Sequence, residues 1–307
     1  MFKENIDTHQ GNENIITLNP PLVKRENVIR TQRPEWLKVK APVGETYSNL
    51  KSMIRSKSLH TVCEEARCPN MGECWGAGTA TFMILGDICI RNCRFCAVTT
   101  GKPKPPDVNE PANVAEAVKS MGVRHAVITS VNRDELPDQG SEHWAKTILE
   151  VRRLNPKVSI EVLIPDFLGD MDCLKRVVDA KPNILNHNIE TVPRLYATIR
   201  PKAIYQRSLT VLNESKKMGM RTKSGLMVGI GEKTEEVFEV MKDLKANNVD
   251  IVTIGQYLQP TPKHAPVDRF VHPDEFAEYK RIGLEMGFKH VESGPLVRSS
   301  YHAERHA

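Results

Sequence analysis

Residues 125–164 read HAVITSVNRDELPDQGSEHWAKTILEVRRLNPKVSIEVLI. HAVITSV (125–131) is a short apolar run of the kind buried on both faces, and VSIEVLI (158–164) is a second. Between them, Trp144, Ile148 and Val151 recur at helical spacing. A buried strand, a helix and another buried strand make a βαβ unit, and such units build parallel sheets covered on both faces.

The alternation extends in both directions. Upstream, TFMILGDI (81–88) is an apolar run of strand length, followed by KPKPPD (102–107), a proline-stiffened basic loop read as a solvated connector. Val114, Ala117, Val118 and Met121 then mark a helix with Asn113 as N-cap and Gly122 at its end. Downstream, helix 171–180 leads to NILNHNI (183–189) and helix 206–218 to RTKSGLMVGI (221–230). Val237, Val240, Met241 and Leu244 line a further helix before VDIVTIGQYL (249–258). About six βα units result, an α/β class compatible with a doubly wound sheet or a barrel. Polar residues gather at strand C-terminal ends (Ser130 and Asn132; Asn186, Asn188 and Glu190), where barrels place their chemistry. A partial (β/α)6 TIM-like barrel over 79–270 is therefore expected. An N-terminal extension (31–78) and a C-terminal extension (271–307) flank it, and residues 1–30 read as a mobile polar tail. RPEWLKVKAP (33–42) is expected to dock in extended form.

The 307 residues are 40% hydrophobic and 26% charged, ordinary for a globular chain. A net charge of +5 is too small to argue for nucleic acid, and no apolar run approaches the length of a membrane span. The opening MFKENIDTHQGNENI has no apolar targeting core, so a cytoplasmic location is expected.

Of seven cysteines, six lie between 63 and 96, a clustering that points to metal rather than to a disulfide framework. CIRNCRFCAV (89–98) spaces Cys89, Cys93 and Cys96 as C-x₃-C-x₂-C. Structural zinc requires a second ligand pair. The available Cys63, Cys68 and Cys74 are spaced C-x₄-C-x₅-C, which is not such a pair. Two incomplete triplets suit iron–sulfur clusters, whose usual ligands are thiolates. An iron with no protein ligand offers an open position for chemistry. Cys173, within a helical pattern, reads as an inert buried thiol, and His187 and His290 as core or hydrogen-bonded histidines.

C-x₃-C-x₂-C with an aromatic before its last cysteine (Phe95) resembles the signature of radical S-adenosylmethionine enzymes. HTVCEEARCPNMGECW (60–75), ILNHNIETVPRLY (184–196), TKSGLMVGIGE (222–232), IGQYLQPTPKHAPV (254–267) and GPLVRSSYHA (294–303) narrow the resemblance to the lipoyl synthase family. That resemblance implies a sulfurtransferase inserting two sulfur atoms, at C6 and C8, into an octanoyl group on a lysine of a lipoyl carrier domain. The carriers implied are 2-oxoacid dehydrogenase E2 subunits and the glycine cleavage H protein. It implies two [4Fe–4S] clusters: one on Cys89, Cys93 and Cys96, with S-adenosylmethionine on its open iron, and an auxiliary one on Cys63, Cys68, Cys74 and Ser300 that donates sulfur. A low-potential donor, ferredoxin or flavodoxin, is implied as well.

Phe95, Ser130, Asn132, Asn188, Glu190 and Arg200 are the candidate S-adenosylmethionine contacts, with Gly225, Gly229 and Glu232 of GLMVGIGE passing nearby. Asn132 and Gln139 stand where the family's pattern has aspartate and glycine, and GIGEKTEE carries an extra lysine. A biotin-synthase-like sulfur insertion shares the chemistry but would not bring C-x₄-C-x₅-C together with R-S-S-Y. A zinc-bound nucleic-acid module and a ferredoxin-like electron carrier both leave the βα alternation unexplained.

Overall fold

The computed structural model describes residues 33–38, 60–61, 70–71, 74, 79–301 and 303. Its main sheet runs β1 (His60–Thr61), β2 (Thr79–Ile84), β5 (His125–Ser130), β6 (Ser159–Leu163), β7 (Ile184–Asn186), β8 (Thr222–Val228), β9 (Ile251–Gln256) and β10 (His290–Gly294), in that spatial order. β1 is antiparallel to β2, and every later neighbour is parallel. Consecutive strands lie side by side, as right-handed βα crossovers place them. No pairing joins β2 to β10 among the described residues, so the barrel is partial. The six expected units are present, and a seventh parallel strand, β10, continues the sheet from within 271–307.

The helices between strands bury the faces their periodicity marked. Trp144, Ile148 and Val151 of Ser141–Leu154, and Val237, Val240, Met241 and Leu244 of Thr234–Ala246, are fully buried against the sheet. The first helix begins earlier than expected. It spans Glu110–Met121 with Asn109, not Asn113, as N-cap, because Pro111 is tolerated in a first turn, where no backbone N–H is needed. Gly122 ends it at φ 60°, a conformation glycine adopts without strain. Around Trp36 the extended expectation is corrected. Glu35–Leu37 forms a single 3₁₀ turn that buries Leu37 and sets Trp36 edge-on against His272, ring centroids 5.2 Å apart. Residues 39–42 lie outside the described region.

Inside the barrel, near the strand starts, lies a charged cluster. Lys223 Nζ donates to both Glu161 oxygens (2.9 and 3.1 Å) and Asn186 Nδ2 to Oε1 (3.1 Å), while His125 Nε2 stands 3.5 Å from Oε2. Glu161 and Lys223 are completely buried. Burial alone would raise the Glu161 carboxyl, but Lys223 and His125 outweigh it and hold it well below the ordinary range. Among the described residues no helix is long and apolar enough to cross a membrane.

Candidate active site

The first cysteine triplet lies on a loop tied down at both ends and in the middle. β3 (Ile88–Cys89) pairs in parallel with β4 (Thr99–Thr100), and Gly101 N–H donates to Cys89 O at 3.0 Å. Between these points Cys96 N–H turns back to Cys93 O (3.1 Å), Ile90 N–H reaches Asn132 O (3.3 Å) and Arg94 N–H reaches Ile199 O (2.9 Å). Ala265 N–H donates to Arg94 O (2.8 Å), and His264 Nε2 lies 2.8 Å from Cys96 O. Cys89 Sγ accepts from the backbone N–H groups of Arg91 (3.4 Å) and Asn132 (3.3 Å). Burial raises the Cys93 thiol and pushes Cys96 up to about 12. Thiols so placed keep their protons until a metal displaces them. Among the described residues no three His, Cys, Asp or Glu side chains are gathered closely enough to hold a single metal ion.

Arg91, between Cys89 and Cys93, anchors the loop. Its buried guanidinium donates to both Asp134 oxygens (2.7 and 2.8 Å) and to Asp166 (2.5 Å), and Arg207 takes the other Asp166 oxygen at 3.1 Å. Burial would raise the Asp166 carboxyl, yet Arg91 foremost, helped by Arg207, brings it down to about 2. Neither Arg91 nor Asp166 was identified from sequence. Asp166 follows the C-terminal end of β6, so the strand-end position that marked Ser130 and Glu190 would have found it.

A cavity of about 1320 Å³ opens above the strand ends. Cys89, Cys93 and Cys96 line it, as do all six expected contact residues, Phe95, Ser130, Asn132, Asn188, Glu190 and Arg200. Four buried atoms on these residues have no hydrogen-bond partner among the described residues: Ser130 Oγ, Asn132 Oδ1, Asn188 Oδ1 and Arg200 Nε. Buried polar atoms are almost always satisfied, so this set calls for a polar ligand. Arg200 Nη1 donates to Asn188 O (3.1 Å) and Ile189 O (3.0 Å), and Asn188 Nδ2 donates to Glu190 (3.1 Å). Glu190 adopts φ 67°, rare for a residue with a side chain, and burial raises its carboxyl despite the nearby Arg200. Gly225 lines the cavity, whereas Glu232 does not. Glu232 instead accepts from Gly229 N (2.6 Å) and Ile230 N (2.9 Å) and shapes the turn.

The C-terminal segment lies across the barrel end. A Cβ on Gly255 would stand 2.1 Å from Val297 O, so only glycine admits the chain there. Asn188 Nδ2 donates to Ser299 Oγ at 2.6 Å, and Ser299 and Ser300 both line the cavity. Asn70 Nδ2 donates to Leu296 O (2.6 Å) and Cys74 N–H to Asn70 O (2.9 Å), which links half-buried Cys74 to the serine-bearing segment. Cys63 and Cys68 lie outside the described residues. Cys173 is buried, donating its thiol to Asp138 O (3.3 Å), and His187 is a core histidine between Ile164 O and Ser208 Oγ, each at 2.9 Å. His290 opens β10 and is half-buried.

Residues 83–244 match the model of the Radical SAM superfamily, and residues 7–68 match the N-terminal domain of lipoyl synthase of that family. Lipoyl synthase of Rubrobacter xylanophilus is 61% identical over 276 residues, 89% of this chain and 86% of that protein. The Halalkalibacterium halodurans lipoyl synthase is 58% identical over 286 residues, 92% of this chain and 94% of its own length. The mitochondrial lipoyl synthase of Nematostella vectensis is 54% identical over 284 residues, 92% and 98% of the two chains. Among solved structures, methylornithine synthase superposes with TM-score 0.53 at 15% identity, over 80% of this chain and 81% of that one. SuiB of Streptococcus suis bound to S-adenosylmethionine gives TM-score 0.57 at 11% identity, over 82% and 62%. These two show the shared fold alone. Cysteine loop, partial barrel and kinship over nearly the whole chain agree: the chain belongs to the lipoyl synthase family of radical S-adenosylmethionine enzymes.

Proposed function

We propose that this chain inserts two sulfur atoms, at C6 and C8, into an octanoyl group held in amide linkage on a lysine of a lipoyl carrier domain. The carriers would be 2-oxoacid dehydrogenase E2 subunits and the glycine cleavage H protein. One observation carries the reading: the first cysteine triplet and the serines of R-S-S-Y line the same cavity, although about two hundred residues of chain separate them.

Membership in the radical S-adenosylmethionine family brings a [4Fe–4S] cluster and S-adenosylmethionine. Cys89, Cys93 and Cys96 would hold the cluster. When bound, the two supply a one-electron route to C–H bonds that no general base can ionise. A second [4Fe–4S] cluster, the source of sulfur, is assigned to Cys63, Cys68, Cys74 and Ser300. Engagement of Ser299 by Asn188 supports Ser300 as the ligand of the serine pair.

The chain's own groups do the positioning. Ser130, Asn132, Asn188 and Arg200 offer unpaired donors and acceptors to the amino, carboxylate and ribose groups of S-adenosylmethionine, with Glu190 beside them as a carboxyl and Phe95 as an apolar wall. Met83, Val127 and Leu163 give the same cavity an apolar side for an alkyl chain and exclude water from it.

Paired triple variants under anaerobic conditions test this. Replacing Cys89, Cys93 and Cys96 with alanine should abolish 5′-deoxyadenosine formation. Replacing Cys63, Cys68 and Cys74 should leave it intact and stop sulfur insertion. Lipoyl product from the second variant would remove the auxiliary cluster as the donor.

A further inference from the structure

Three consecutive residues past the end of β5 each hold the cysteine loop at a different place. Asn132 N–H donates to Cys89 Sγ (3.3 Å), and Asn132 O accepts from Ile90 N–H (3.3 Å). Asp134 accepts from Arg91. Between them Arg133, only 3% exposed, reaches past the thiols to the two flanks of the loop. Its Nη1 donates to Leu85 O and its Nη2 to Lys104 O, each at 2.9 Å, while Nε donates to Glu135 at 2.5 Å. Leu85 lies four residues before Cys89, and Lys104 eight after Cys96.

Leu85 is a strained entry to the loop. Its φ of 68° is rare for a residue with a side chain. The Glu110 carboxylate accepts from Leu85 N–H (2.7 Å) and lies 2.6 Å from His143 Nε2, so buried side chains hold both backbone polar groups of Leu85. A guanidinium carries its donors in a rigid planar fork, so Arg133 fixes the separation of two carbonyls as well as binding each. Residues 86–103 form the ring that this bridge closes. The pairing of β3 with β4 lies inside that ring, and β4 is exposed. None of the three Arg133 partners belongs to a strand of the main sheet, so this buried cation spends those donors on the loop and its own neighbour.

We infer that Arg133 is a positioning residue: it closes the loop that carries Cys89, Cys93 and Cys96 and holds the three thiols ready for a cluster. The inference rests on the functional reading above, in which those thiols bind the cluster. Ordering a loop costs conformational entropy, and a loop already closed by the protein does not take that cost from cluster binding. Without the bridge, Leu85 is free to leave its strained conformation, and the loop opens while the barrel stays folded.

The test uses the full chain as Arg133→Met, which fills the space without donors, and as Arg133→Lys, which keeps the charge without the fork. In cluster-free protein, amide hydrogen exchange across 86–103 should rise roughly tenfold or more in both, with β5 and β6 exchanging as in the parent. Iron incorporation should slow in step. The change that S-adenosylmethionine makes in the electron paramagnetic resonance signal of the reduced cluster on Cys89, Cys93 and Cys96 should be lost or broadened. Parent-like exchange across 86–103 in the Lys variant shows that charge alone suffices and overturns the inference. An equal rise in 86–103 and in β5 and β6 makes Arg133 a support of the barrel and overturns it too. So does faster exchange at an unchanged rate of iron incorporation. If Arg133→Met does not fold, Arg133→Lys alone decides between these outcomes. A parent that binds no cluster on Cys89, Cys93 and Cys96 would instead overturn the functional reading.

Discussion

Asn188 and Ser299, 111 residues apart, share a 2.6 Å hydrogen bond that fastens the C-terminal turn to the end of the barrel. The bond occupies one hydroxyl of the serine pair and sets its neighbour, Ser300, on the wall of the same cavity. The contrast makes the two serines separable by mutation.

A serine oxygen is a harder ligand than thiolate and binds as an anion only under a metal's charge. Such a corner should open more readily than a thiolate corner. Ser300→Cys should keep the auxiliary cluster but slow or halt sulfur release. Ser300→Ala should slow insertion with 5′-deoxyadenosine formation intact. Ser299→Ala should do less, losing a hydrogen bond worth about 1 kcal/mol. Single-turnover anaerobic assays check all three, and equal turnover in Ser300→Cys and the parent would remove the case for a labile corner.

Gly225 is where Asn188, Thr253 and Ser299 crowd together. A Cβ there would stand 2.5 Å from Thr253 Oγ1, 3.0 Å from Asn188 Oδ1 and 3.4 Å from Ser299 Oγ. Gly225→Ala should therefore cost roughly 1–3 kcal/mol by overpacking, read from urea unfolding, and should slow product formation by displacing the terminal turn.

Lys223→Met should be severe, because it strands a fully buried Glu161 without its cation. The expected loss is roughly 3–5 kcal/mol near neutral pH. In the parent the Glu161 carboxyl is lowered, so its stabilisation is present above its ordinary value of 4.5 and fades as pH falls below that. In the variant, burial without Lys223 raises the carboxyl instead, so its charge is costly only once pH climbs above 4.5. The gap between parent and variant should narrow on acidification, as urea titrations at several pH values would show. A constant gap would mean that the pair's charge does not carry the effect.

Asp166→Asn should loosen the cysteine loop by weakening its hold on Arg91. Slower iron incorporation and an altered electron paramagnetic resonance signal of the reduced cluster are expected, with the barrel still folded by circular dichroism. Since Asp166 is lowered from 3.8 to about 2, its contribution in the parent is present above pH 3.8 and is lost as pH falls toward 2. The stability difference between parent and variant should shrink across that window. An unchanged cluster spectrum would show that Arg91 does not set the loop's geometry.

The sequence by itself determined what is local and periodic. Strand-length apolar runs and helix-spaced stripes such as Trp144, Ile148 and Val151 gave the βα alternation, because each pattern repeats within a single element. The spacing of Cys89, Cys93 and Cys96 was legible because the three lie within one short loop. Even locally, the apolar stripe from Val114 points to Asn113 as the N-cap of the first helix, whereas the helix begins just after Asn109. Tertiary structure alone decided the partners. Arg91 meets Asp134 and Asp166 from 43 and 75 residues away, Lys223 meets Glu161 from 62, and Ser299 meets Asn188 from 111. Sheet order and register set such meetings by bringing distant strand ends to one rim, and no period along the chain records which side chains arrive there together.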